Sequence, residues 1–136
     1  MSKKLIYLSL IFGALLPMTA CTSNVKNQEM SINVNSTTVN GDYTGPTENK
    51  KADGNGEFVS SDSAVISGSF SDGEIINGTV KDYPYTLAFE ENNYTGTYSG
   101  DIKNSKLNGE GKFISDGASF DGKFEDGEIT SGVLKI

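Results

Sequence analysis

The sequence predicts an all-β protein, a series of antiparallel hairpins stacked along one axis into an elongated, twisted sheet. Three observations carry this. Apolar and polar residues alternate over short runs such as Phe120-Asp121-Gly122-Lys123-Phe124 and Tyr85-Thr86-Leu87-Ala88-Phe89, the period of a half-exposed strand. Asp-Gly and Asn-Gly pairs separate those runs: Asp72-Gly73, Asn77-Gly78, Asn108-Gly109, Asp116-Gly117 and Asp126-Gly127. Such pairs tolerate the positive φ that tight hairpin turns need. After the first twenty-one residues, no long stretch free of Gly and Pro repeats its apolar residues with a period of 3.6.

The one helix expected is that of an N-terminal signal segment, residues 1–20. Lys3 and Lys4 precede Leu5–Leu16, a twelve-residue and mostly apolar run. As a helix that run spans about 18 Å, too short for a hydrocarbon core of about 30 Å, so it reads as a signal peptide. The segment ends Met18-Thr19-Ala20-Cys21, which resembles the lipobox of bacterial lipoproteins. Met18 departs from the usual Leu, while small residues stand at the two positions before the cysteine. The resemblance implies cleavage between Ala20 and Cys21, lipid on the Cys21 thiol, and anchoring to a cell membrane or outer membrane on its non-cytoplasmic side. With about 0.8 kcal/mol per buried CH₂, two or three acyl chains hold a protein there stably. Cys21 is the only cysteine in the chain, so a disulfide within the chain is excluded, and its position at the end of the apolar run accounts for it.

Residues 21–30 are polar and aperiodic, and read as a flexible tether. A repeat domain over 31–136 follows. Its first strand is expected over Ser31–Val39, with Ile32 and Val34 on one face and a turn at Asn40-Gly41. Pro84 belongs at the start or edge of a strand, because it cannot donate to a ladder.

Internal repeats organise the rest. Ile66–Val80 and Phe120–Leu134 match at an offset of 54: Gly68 with Gly122, Phe70 with Phe124, and Asp72-Gly73-Glu74-Ile75 with Asp126-Gly127-Glu128-Ile129. A second pair interleaves with the first. Tyr43-Thr44-Gly45 resembles Tyr94-Thr95-Gly96, and Gly54–Phe58 resembles Gly109–Phe113. Units thus begin near Tyr43, Ile66, Tyr94 and Phe120. Each reads as a hairpin, and in Phe120–Phe124 one strand face reads aromatic, glycine, aromatic, the glycine leaving a slot for a ring from a neighbouring strand. This pattern, clearest in Tyr94-Thr95-Gly96-Thr97-Tyr98 followed by Gly109-Glu110-Gly111-Lys112-Phe113, resembles that of MORN repeats. The resemblance covers about Tyr43 to Leu134 and implies a non-enzymatic hairpin stack that binds or spaces another component. Gly45-Pro46 interrupts the first motif, Ile66 stands in place of an aromatic, and tryptophan, common in the family, is absent.

Charge and composition narrow the chemistry. The net charge is −7, and without Lys3 and Lys4 nine lysines face eighteen acids, or −9. That opposes nucleic-acid binding, where affinity comes largely from neutralising phosphates, and opposes docking of the repeats on anionic lipid. Without histidine, and with Cys21 committed to lipid, no Ser-His or Cys-His pair can form, and zinc lacks its usual ligands. Asp53-Gly54-Asn55-Gly56-Glu57 fails as an EF-hand loop, because Phe58 and Ala64 stand where Gly and a bidentate Glu are required. No catalytic residue, metal or cofactor is therefore expected. Three alternatives stay open for the repeats: a protein partner in the cell envelope, a lipid or glycan ligand (Tyr43, Tyr94 and Tyr98 offering a stacking platform for sugars or a peptide), and hydrolysis by the acidic pairs Asp72/Glu74 and Asp126/Glu128.

Overall fold

A computed structural model describes residues 21–136, so the expected signal helix and the Ala20 side of the cleavage site lie outside the described residues. The described chain is all-β and contains no helix. Ten strands form one antiparallel sheet: β1 (Thr22–Val34), β2 (Thr37–Glu48), β3 (Lys51–Ala52), β4 (Gly54–Ser60), β5 (Val65–Ser71), β6 (Glu74–Phe89), β7 (Asn92–Lys103), β8 (Lys106–Ser115), β9 (Ser119–Glu125) and β10 (Glu128–Lys135). Strands neighbour one another in chain order, with β3 pairing beside β2, and among the described residues β1 and β10 are the edges.

Alternation follows the expected faces. Phe120 and Phe124 point into the core while Asp121 and Lys123 face water. Pro84 lies within β6 but at a local edge. Among the described residues that half of β6 pairs only with β7, whereas Glu74–Lys81 pairs with β5 and, over Asn77–Val80, with β7 as well.

Two expectations are corrected. Residues 22–30 are not a flexible tether. They belong to β1 and pair with β2 out to Thr22↔Glu48. Secondly, the first hairpin turns at Asn35-Ser36, where φ is 52° and 65°, and not at Asn40-Gly41. Gly41 lies inside β2, where a Cβ would meet Phe58 Cζ and Ser60 Cα at 2.8 Å. The glycine is required for close approach, and the turn falls on residues that can adopt the left-handed region. Asn77-Gly78 and Asn108-Gly109 are likewise strand residues and not turns, Gly78 facing Gly68 and Gly109 facing Phe124 across their ladders.

The structure also settles the register of the repeat. The chain contains two copies of one five-strand unit, related by 55 residues up to Ser60 and by 54 after it. The single-residue difference falls in the loop between β4 and β5, which holds Ser61-Asp62-Ser63 where the second copy holds Asp116-Gly117. Contacts recur accordingly. Bulges fall at Val25/Gln28 and Val80/Tyr83. At each, a residue with positive φ (Asn27 51°, Asp82 57°) donates its N–H to a hydroxyl at 3.0 Å, Thr44 Oγ1 in one copy and Ser99 Oγ in the other. Ser60 Oγ accepts the Ala64 N–H at 3.0 Å, as Ser115 Oγ accepts that of Ala118 at 2.9 Å. In this register Tyr43 corresponds to Tyr98, and Tyr94 corresponds to Val39.

Glycines line up across the ladders in two rows. Gly56, Gly68 and Gly78 pair successively, as do Gly111, Gly122 and Gly132. Gly45 and Gly100 extend the rows, their added Cβ atoms falling 2.9 and 2.5 Å from the Cα of Gly56 and Gly111. Across each row lies one tyrosine. The Tyr43 ring covers Gly56 and the Tyr98 ring covers Gly111, so closely that no Cβ fits at either glycine. Each hydroxyl donates three residues onward, Tyr43 to the Pro46 carbonyl at 2.8 Å and Tyr98 to that of Asp101 at 2.7 Å. Each ring meets the same phenylalanine edge-on, Tyr43 with Phe70 at 5.1 Å and Tyr98 with Phe124 at 4.8 Å between centroids. The tyrosine–phenylalanine contacts reach past one strand, from β2 to β5 and from β7 to β9, within the buried face that forms the core.

The two units are tied together by the tip of the first hairpin. The Asn35 N–H donates to the Ser105 carbonyl at 2.7 Å, and Asn35 Oδ1 accepts the Leu107 N–H at 3.2 Å. Val34, next to the tip, is fully buried.

Candidate functional site

The proposed stacking tyrosines divide between core and rim. Tyr43 and Tyr98 are fully buried with their hydroxyls satisfied by carbonyls, so neither presents a face to a ligand. Tyr94 is half-buried against the core and lies beside Gly117. The three do not form a platform.

Burial raises the pKa of the Tyr98 hydroxyl, with Asp101 and Tyr85 adding to the effect. Burial likewise raises Tyr43, helped by Asp53. A neutral phenol is therefore favoured in the folded state. Stability is fully present below the unfolded tyrosine value near 10 and is lost as pH rises through the folded values. Above about pH 10 the unfolding free energy should fall by about 1.4 kcal/mol per pH unit for each tyrosine held neutral. Urea titrations between neutral and strongly alkaline pH measure this slope, and a flat profile would refute it.

The acidic pairs occupy equivalent exposed corners. Asp72-Gly73 and Asp126-Gly127 are both two-residue turns with positive φ at each position. The Asp72 N–H donates to Asp53 Oδ2 at 3.2 Å, and the Asp72 carboxylate pairs with Lys51 at 3.4 Å. Recurrence at matched turns fits a conformational role, since aspartate adopts the left-handed region more readily than most residues. Among the described residues, no group of three or more His, Cys, Asp or Glu side chains comes together as a metal site.

Two surfaces stand out. Cys21, at the start of the sheet, is exposed. Its carbonyl accepts the Asn49 N–H at 2.8 Å, which fixes its backbone against the β2–β3 turn. Its thiol is free of the packing that holds the sheet. The second surface is the outer face of the second unit. There an open groove of about 430 Å³ is lined by Lys112, Ile114, Asp121 and Val133 among others. Ile114 is 63% and Val133 59% exposed, and Lys112 pairs with Asp121 at 3.5 Å between them. The first unit carries Val59, Thr79, Glu57 and Ser67 at the matching positions. Valine stands at the position of Ile114 and threonine at that of Val133, so the sheet does not require an apolar residue at the second. Sequence reading missed this surface, because only the repeat register shows which outward positions differ.

No protein-family model matches the chain, and no curated protein matches it significantly. Among the described residues, no helix is long and apolar enough to cross a membrane.

Proposed function

We propose that the chain is an exported lipoprotein of the bacterial cell envelope, cleaved before Cys21 and anchored by lipid on that residue. On this reading its hairpins are of MORN type and act as a non-enzymatic binding or scaffolding module. The observation that carries the anchoring is Cys21, a sole cysteine that follows an apolar signal-like run and is exposed. The paired strand β1 starts at Thr22, so a lipid on Cys21 would bring the repeat sheet against the membrane surface without an intervening stalk. The binding role is supported by the outer face of the second unit, where Ile114 and Val133 expose apolar surface that the fold does not use. Each buries energy only when a partner covers it.

The test is metabolic labelling with a clickable palmitate analogue, followed by detergent phase partitioning. The native chain should carry label and enter the detergent phase. Cys21→Ser should lose the label and leave the detergent phase. A variant that still labels and remains membrane-bound would overturn the anchoring.

A further inference from the structure

One strand serves both units. Within β6, Asn77–Val80 pairs with β5 on one side and with β7 on the other. The repeat register finds the same stretch at both open edges of the sheet. Cys21–Asn27, Ile76–Asp82 and Thr130–Ile136 correspond, with Val25, Val80 and Leu134 at one position and Lys26, Lys81 and Lys135 at the next. Among the described residues, the first of these stretches pairs only with β2 and the last only with β9. Each end of the sheet is therefore half of a junction that the middle of the molecule completes.

The hairpin tips repeat this logic. Val34-Asn35-Ser36 docks on the second unit beside Leu107 and Gly127, and Ser36 accepts a hydrogen bond from Lys106. The matching tip is Phe89-Glu90-Glu91. Phe89 is 43% exposed where Val34 is fully buried, and both glutamates are exposed. The surface matching the one that receives Asn35 lies on the first unit at Lys51, Ala52 and Gly73. At Gly127 an added Cβ would meet Asn35 Oδ1 at 2.6 Å, whereas at Gly73 only the Lys51 chain lies near, at 3.7 Å. Among the described residues, no hairpin tip occupies the receiving position. Where Lys106 meets Ser36 within the chain, Lys51, which pairs with Asp72 in the single copy, would be shared with Glu91.

We propose that this chain associates end to end with a second copy. The β6–β7 tip of one copy seats on the first unit of the next, burying Phe89 and pairing Glu91 with Lys51. Strand β10 of the donor takes the place of Cys21–Asn27 in the acceptor, since both correspond to the one stretch that β6 supplies internally. The seven displaced residues extend to about 23 Å and become a tether only in the assembled form. Contacts of this head-to-tail kind propagate into open chains unless the rotation closes a ring. The proposal goes beyond the anchoring role and does not rest on it.

The test mixes two full-length chains in detergent, both carrying Cys21→Ala, one with Lys51→Cys and the other with Glu91→Cys, and treats them with a short bismaleimide. The mixture should give a cross-linked dimer that neither chain gives alone. Adding Phe89→Asp to the Glu91→Cys chain should lower its yield at least tenfold. Absence of the dimer in the mixture, with both chains folded by circular dichroism, would overturn the proposal. So would an equal dimer yield from the Glu91→Cys chain alone, which would mean tail-to-tail contact, or an undiminished yield with Phe89→Asp.

Discussion

Gly111→Val is expected to destabilise the sheet by about 3 kcal/mol, the upper end of the cost of overpacking a well-packed core. Even the first carbon of the new side chain would sit 2.7 Å from Cζ and from the hydroxyl oxygen of Tyr98. The ring has little room to retreat. Its hydroxyl is held by the Asp101 carbonyl and its ring by the T-shaped contact with Phe124. The backbone cannot yield easily either, because Gly111 pairs with Gly100 on one side and Gly122 on the other. For a domain of this size the loss corresponds to a fall in melting temperature of about 10–20 °C. A thermal melt showing no change would remove the slot from the account of stability.

Tyr98→Ala should cost about 3–5 kcal/mol, the range for deleting a large aromatic from a core. Three losses combine. The ring no longer covers Gly111, Phe124 loses its edge-on partner, and the Asp101 carbonyl loses its donor. Tyr98→Phe separates them, since it keeps the ring and removes only the hydrogen bond. It should cost about 1–2 kcal/mol. Urea denaturation of the two variants measures the difference. Equal costs would assign the effect to the hydroxyl alone.

Much of this architecture is legible in the sequence where a local rule has a local cause. Asp72-Gly73 and Asp126-Gly127 read as turns because both residues accept positive φ, and they are turns. The face Phe120-Gly122-Phe124 reads correctly because strand alternation needs no distant partner. The first strand is illegible for a physical reason. Thr22–Met30 has one half-buried valine, and the bulge at Asn27 breaks the alternation just past it, so no period of two survives. The ladder that orders it comes from β2, more than a dozen residues away. Asn40-Gly41 misleads because glycine serves two purposes, reversing a chain and admitting a close ring, and composition does not distinguish them. The same ambiguity pairs Tyr43 with Tyr94 by their shared Thr-Gly, when the position that matters is Tyr98. Only the glycine across the ladder, Gly56 or Gly111, decides which tyrosine has a slot to fill. The supposed stacking platform fails on the same point, since aromatic content alone does not say which face is buried. Cys21 is the reverse case. Its proposed chemistry comes entirely from the sequence, and the structure contributes its exposure and the paired strand beside it.

The most direct test of the central claim, that a tyrosine ring lying in a glycine slot holds each unit together, is a double-mutant cycle on Tyr98→Ala and Gly111→Ala. If the ring and the slot form one interaction, the alanine at 111 clashes only while the ring is present. The double variant should then be more stable than the sum of the single losses by at least about 1 kcal/mol, within the range for directly contacting residues. Additive losses in urea denaturation would show that the two positions act independently, and would contradict the account.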